Sequence, residues 1–396
     1  MQNDIKTLRI QNFKSIKDVT MTPRRVNLII GMPNVGKSNI LEAMSLLGAG
    51  LYDKKKFMDD VLRYEVIQNL FYDNDTSQPV IVNASTCMAI IKANDIYSEN
   101  YRSVHISKDL LNRVQSIVDV EYSKKNPGFM IPVEDDITLI NIIIDQERYI
   151  SEIIKEDSME GGKSFVKTLN IYSNGDSSQV GNFYYTNVNM MPKSYNYIRG
   201  ESHDSRYQFN FLRPPHGSNL SNVVQRNQKL RKEVSSLFKV YGLNLVLRVS
   251  ERKFEIQKQV DDLVYNYPYS SIADTLQRII FYFAAIESND DSVILLEEPE
   301  AHSYPMYVSM LGKRMVESRN NQFFVATHSP YLITEVLEQM LPDEEQAKEL
   351  AIFVAYYEDY QTKVKQLSDE EVRAIRGDSV DVFYNMARYI PRPANG

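Results

Sequence analysis

The chain has 396 residues, 43% of them hydrophobic, enough for about two to three domains or one core with a large insertion. Its net charge of −7 argues against a dedicated nucleic-acid coat, and its single cysteine, Cys87, excludes a disulfide framework and a cysteine-rich zinc site. No apolar run approaches the ~18 residues of a membrane helix, and the N-terminus lacks the apolar core of a secretory signal, so a soluble, cytoplasmic protein without a membrane partner is expected.

Ile5, Leu8, Ile10 and Phe13 alternate with polar residues, and Val26–Ile30 is a short apolar run of the kind buried strands show. A turn at Gly31 follows, then Ile40, Leu41, Met44 and Leu47 at helical spacing. The order is strand, tight loop, helix. Residues 78–92 read as one or two strands. Between 93 and 240 the pattern weakens. Helical character is expected over Asp109–Val118 and Ile142–Lys155, turns at Gly161-Gly162 and Ser173–Asp176, and one amphipathic helix over Asn219–Tyr241.

Beyond it, 243–258 reads as a hairpin, Thr275–Ile286 as an apolar helix, and Ser292–Leu296 as a second buried strand. Met306–Glu317 is helical, Gln322–Ala326 is a third buried strand, and Ala351–Tyr357 with Thr362–Leu367 suggests a terminal hairpin. Strands alternating with helices predict an α/β core. The expected division is 1–92 and 241–396 as two halves of that core, with 93–240 as an inserted, mixed lobe.

Gly31-Met-Pro-Asn-Val-Gly36-Lys37-Ser38 fits the phosphate-loop pattern, with the required strand before it and helix after it. Backbone N–H groups of such a loop point at phosphate oxygens, and the helix N-terminus adds partial positive charge. Gly36 allows close backbone approach, and Asn34 tolerates a left-handed turn. Lys37 would reach the β- and γ-phosphates, and Ser38 would ligate Mg²⁺. Val35 and Asn39 complete the expected nucleotide-binding set. Gly162-Lys163-Ser164 is a decoy, because no strand leads into it.

Val293–Leu296 ends in Glu297-Glu298. Alone, that pair would read as a solvated strand end. Beside a phosphate loop it reads as a metal-holding carboxylate, Glu297, and a base for the attacking water, Glu298. Phe323–Ala326 runs into Thr327-His328, placing His328 where it would contact a γ-phosphate or that water. His302, in the turn after Glu300, is a candidate for a role across an interface. His105, His203 and His216 read as structural.

In combination, Asn12-Phe-Lys14-Ser15, GMPNVGKSN, LLEEPEAH and ATHSPYLI resemble ABC-type ATPases of the RecF, SMC and OLD group, often described as AAA-family ATPases. The likeness covers 1–50 and about 265–335 well and the middle of the chain poorly. It implies an ABC-type P-loop core with a mixed sheet, in which two heads sandwich two ATP molecules, each phosphate loop facing the other head's signature helix. It implies that Lys37 and Ser38 bind phosphate and Mg²⁺, that Glu297 stands where Asp is usual, that Glu298 is the catalytic base, and that His328 is a switch histidine. Lys14 would approach the phosphates, and either Gln68 or Gln78 would sense the γ-phosphate.

The family signature is normally Ser-x-Gly at a helix start. The matching stretch here, Tyr269-Ser270-Ser271-Ile-Ala-Asp274, has no glycine. Ser271 and Asp274 are the expected contacts in trans, with Asp274 and Gln277 forming a capping box. An acidic residue facing a phosphate predicts slow hydrolysis.

The chain lacks long heptad arms, and only 68 residues follow His328, too few for the nuclease domain that OLD proteins append. These features predict a homodimer or higher homo-oligomer acting as an ATP-driven sensor or scaffold. It would control a separate effector, a nuclease among the candidates, in bacterial anti-phage defence. The alternative is a RecF-like DNA-repair ATPase, for which basic clusters at Arg24-Arg25, Lys54–Lys56 and Lys229/Arg231-Lys232 allow nucleic-acid binding. A GTPase switch is disfavoured because the chain has no Asn-Lys-x-Asp guanine reader.

Overall fold

The computed structural model describes residues 1–52, 55–94, 99–125, 164–185, 188–199, 209–377 and 382–391. The expected helix Ile142–Lys155 and the turn at Gly161-Gly162 lie outside the described residues. Among the described residues no helix is long and apolar enough to cross a membrane.

The strands in the first half are β1 (Leu8–Phe13), β2 (Ile16–Met21), β3 (Val26–Gly31), β4 (Val80–Ala84), β5 (Cys87–Ala93), β6 (Asn100–Ser107), β7 (Phe165–Tyr172), β8 (Ser177–Tyr185) and β9 (Lys193–Tyr195). The second half adds β10 (Asn244–Arg248), β11 (Lys253–Val260), β12 (Leu263–Pro268), β13 (Ser292–Glu297), β14 (Asn321–Ala326), β15 (Leu350–Glu358) and β16 (Gln361–Gln366). The helices are α1 (Lys37–Leu46), α2 (Lys108–Lys125), α3 (Leu220–Arg226), α4 (Gln228–Lys239), α5 (Asp274–Ser288), α6 (Pro305–Glu317), α7 (Pro330–Met340), α8 (Glu344–Ala347) and α9 (Asp369–Gly377).

Three sheets form. The central one is mixed, in the order β16-β15-β3-β14-β13-β9, with only β16 antiparallel to its neighbour. The second is antiparallel, in the order β2-β1-β4-β5-β6-β7-β8. The third is the small meander β10-β11-β12. The α/β core with a mixed sheet that the sequence predicts is therefore present.

Alternation explains the layering. On β3, Val26, Leu28 and Ile30 face the core built with α3–α7, while Ile29 joins α1 and the antiparallel sheet on the other side. Ile294 and Leu296 of β13 likewise face the first core, and Val293 and Leu295 the second. A strand covered on both faces must be apolar throughout, which is why these segments read as continuous runs.

Two expectations meet a different arrangement. Strand pairing crosses the boundary drawn at 92/93: β6 pairs with β5, and β7 and β8 continue the sheet begun by β1 and β2. These strands escaped the hydropathy pattern because they are interrupted in sequence and carry buried polar residues such as Ser103 and His105. The expected single helix 219–241 is two, α3 and α4. Asn227, in an extended conformation, ends the first and caps the second by accepting from Leu230 N at 3.0 Å. A side chain that satisfies an orphan N–H favours a new start over continuation.

Candidate active site

Three parallel strands, adjacent in the order β3-β14-β13, end side by side and deliver the site. β3 leads into the phosphate loop and α1, β14 into Thr327-His328, and β13 ends at Glu297, followed by Glu298. This is the carboxyl edge of a parallel sheet, where α/β proteins bind ligands.

The loop is held by packing as well as by its own backbone. Asn34 and Gly36 are left-handed, at φ 61° and 91°. A Cβ on Gly36 would lie 2.1 Å from Thr362 Oγ1, so the residue is required by crowding as well as by φ. Thr362, from β16, donates to Val35 O at 2.9 Å and lies 2.6 Å from Ser15 Oγ, which accepts from Asn39 Nδ2 at 2.7 Å. Thr362 and Ser15 thus brace the loop from outside, with Asn39 of α1 holding Ser15. The sequence showed Thr362 only as the start of a strand, because it lies more than 320 residues from the loop it supports.

Lys37 is buried, and its ammonium donates to Gly31 O at 3.1 Å and Met32 O at 2.9 Å. Burial lowers its pKa, opposed by Glu298 and Glu297, so all three groups share one electrostatic site. Ser38 is half-buried at the helix start.

Glu298 is exposed and left-handed, at φ 42°, with its N–H donating to Ala326 O at 2.8 Å. A non-glycine residue in that region carries strain, which here turns the carboxylate toward β14. His328 Nε2 lies 3.5 Å from Glu298 Oε1. Burial and the nearby Lys37 ammonium hold the imidazole below its ordinary pKa against the pull of Glu298, which favours its neutral form.

Three charged neighbours, Arg63, Lys14 and Glu300, surround the site. Arg63 binds Glu42 of α1 at 2.6 Å and reaches Glu297 Oε1 at 3.5 Å. Lys14 pairs with the same buried Glu42 and donates to Arg63 O at 2.6 Å, so its ammonium is engaged beneath Glu297. Glu300 accepts from Thr327 Oγ1 at 2.5 Å and from the His328 backbone N–H at 2.9 Å. Burial raises its pKa, and its Oε2 is buried without a hydrogen-bond partner. Arg63 sits in an unpatterned stretch that no spacing rule would select.

Gln68 and Gln78 are both exposed, and Gln68 donates to Asn74 O at 2.9 Å. In the signature-like stretch, Ser271 Oγ donates to Pro268 O at 2.7 Å. The capping box expected from Asp274 and Gln277 does not form. Ala273 is the N-cap of α5, while Asp274 accepts from Tyr197 OH at 3.0 Å and Gln277 donates to Ile272 O at 3.0 Å. Asp274 is the first helical residue, one position past the N-cap, and its carboxylate faces Tyr197 and Arg278. Thr275 Oγ1 donates to His302 O at 3.0 Å, tying the start of α5 to the turn that follows Glu298.

Residues 176–334 match the family model described as "AAA domain, putative AbiEii toxin, Type IV TA system". A Helicobacter pylori (strain ATCC 700392 / 26695) protein named ATP/GTP phosphatase is 21% identical over 373 residues, covering 90% of this chain and 93% of its own. Among solved structures, the SMC head bound to the C-winged-helix domain of ScpA is 15% identical, with a TM-score of 0.45, over 94% of this chain and 99% of its own. A Pyrococcus furiosus Smc head with an extended coiled coil, bound to the C-terminal domain of ScpA, is 14% identical, with a TM-score of 0.44, over 95% and 99%. A phosphate loop, an acidic strand end and a strand-end histidine on one mixed sheet form the layout of a P-loop ATPase site.

Proposed function

We propose that the protein hydrolyses ATP to ADP and phosphate at a site completed by the signature-like helix of a second copy. The observation that supports this best is the convergence of Lys37, Glu297, Glu298 and His328 at three adjacent strand ends, with His328 and Glu298 3.5 Å apart. Lys37, now held by loop carbonyls, exchanges them for phosphate oxygens. Glu298 is open to water and takes its proton as it attacks. Neutral His328 is placed to hydrogen-bond the γ-phosphate or that water. The Ser38 hydroxyl and the Glu297 carboxylate are hard oxygen donors that fit Mg²⁺, which when bound neutralises phosphate charge. Across the interface, Ser271 and Asp274 at the start of α5 face the nucleotide, the acidic side chain keeping turnover slow.

In biological terms we propose a sensor or scaffold whose ATP-dependent association controls a separate effector in anti-phage defence. The toxin–antitoxin wording of the matched family supports this setting. The test is ATP turnover with mass by light scattering. Glu298→Gln loses about a hundredfold or more in turnover and accumulates an ATP-dependent assembly. Lys37→Ala neither turns over nor assembles. A Glu298→Gln protein that hydrolyses ATP at the wild-type rate sinks the assignment.

A further inference from the structure

Away from the nucleotide site, α4 and the first strands of the small meander enclose a cavity of about 590 Å³. Its floor is apolar: Val224 and Phe254 are buried, and Leu245 and Leu247 are half-buried. One wall is cationic, with Arg231, Lys232 and Lys239 projecting from a single helix beside Ser235.

The charges on this wall are unspent. Among the described residues neither Lys232 nor Lys239 has a partner, and both are exposed. Arg231 donates only to the Gln225 carbonyl. The acids close by are committed elsewhere: Glu233 and Glu287 to Arg314, and Glu251 and Glu255 to Arg248. On a chain of net charge −7, a concave site with free cations over an apolar floor selects for opposite charge and apolar side chains together.

We propose that this groove docks an acidic, amphipathic segment of a second protein, its carboxylates on Lys232, Lys239 and Arg231 and its apolar side chains against Leu245, Leu247 and Phe254. A nucleic-acid backbone would satisfy the cations but leave the floor uncovered, so the apolar floor decides in favour of a polypeptide. The inference does not depend on the ATPase reading, since no group of the phosphate site takes part.

The probe is a fluorescent synthetic peptide of alternating Glu and Leu, titrated with the full-length protein, beside a Glu/Ser peptide of equal charge and a labelled DNA duplex. The Glu/Leu peptide should bind saturably and more tightly than Glu/Ser by about tenfold. The double reversal Lys232→Glu/Lys239→Glu should weaken it by about tenfold or more without changing the melting temperature or ATP turnover. Leu247→Ser, a floor change at a half-buried position, should weaken Glu/Leu binding and leave Glu/Ser binding unaltered. Equal binding of the two peptides, indifference to the charge reversal, absence of saturable Glu/Leu binding, or tighter binding of the duplex that the same reversal abolishes would each overturn the proposal.

Discussion

Glu300 illustrates how much of a nucleotide site lies in groups that need not touch the nucleotide. Its carboxylate is buried, accepts from the Thr327 hydroxyl and the His328 N–H, and leaves one oxygen unpaired. Leaving a buried carboxylate half satisfied costs stability, and burial accordingly raises its pKa. What the chain obtains is a fixed position for the backbone that carries His328. Glu300→Gln retains an acceptor for both donors and removes the buried charge. It should keep turnover within a few-fold and melt no lower than wild type. Glu300→Ala frees the His328 segment and should lower kcat by about tenfold with little change in KM for ATP. A fall in KM-linked binding with kcat preserved would show that Glu300 serves binding instead. This residue was visible in the sequence only as a member of the LLEEPEAH motif, with no role of its own. Its role depends on β13 and β14 ending side by side, with Glu297 opposite Ala326, which no local pattern encodes.

Strand β9 poses a different problem, because it seals the edge of the central sheet with a buried lysine. Lys193 donates to Ser292 Oγ at 2.8 Å and lies 4.2 Å from the Phe211 ring centre. Burial pushes its pKa down to about 7 from an ordinary 10.5, with Asp291 opposing. A lysine with a depressed folded pKa imposes its full desolvation cost below about pH 7, and that cost is relieved as pH rises from 7 toward 10.5. Between those values this residue makes stability rise with pH, by at most about 1.4 kcal/mol per unit. Lys193→Met, of similar length and without charge, should be more stable than wild type at low pH, the gap closing as pH rises. Urea melts across that range test it, and a gap that widens with pH would refute the assignment. Such elements mark the limit of legibility. The buried strands β3, β13 and β14 and the helices α1 and α6 announced themselves because two-sided burial and amphipathic spacing leave continuous patterns. β6–β8 did not, because their faces mix Ser, His and Lys with apolar residues and the β6–β7 pairing joins segments far apart in sequence. The break between α3 and α4 turned on one side chain, Asn227, choosing a cap over a helical continuation.

The assembly is where the two halves of the proposed chemistry meet. The phosphate loop and the acidic strand ends belong to the central sheet, whereas Ser271 and Asp274 belong to the turn entering α5 from the small meander. Within one chain Thr275 reaches His302 in the turn that follows Glu298, and α5 packs in the same core as β13. That geometry suits a head that offers its own loop to one nucleotide and its own α5 start to another. If so, damage to the two halves should complement between copies. Lys37→Ala removes a head's loop but leaves its signature-like turn intact, and Ser271→Arg does the reverse by placing bulk and charge where the partner's nucleotide must sit. Each variant alone should be inactive. A mixed dimer restores one complete site from the loop of the Ser271→Arg head and the turn of the Lys37→Ala head. Since each mixed dimer carries one complete site of two and the Lys37→Ala head does not pair with itself, the mixture with independent sites should recover at most about half of wild-type turnover. Recovery must depend on total protein concentration, because it requires association. A mixture as inactive as its parts would mean that each head works alone or that the sites fire only together. Single-turnover hydrolysis by an isolated head, measured at concentrations where light scattering shows monomer, separates those two cases.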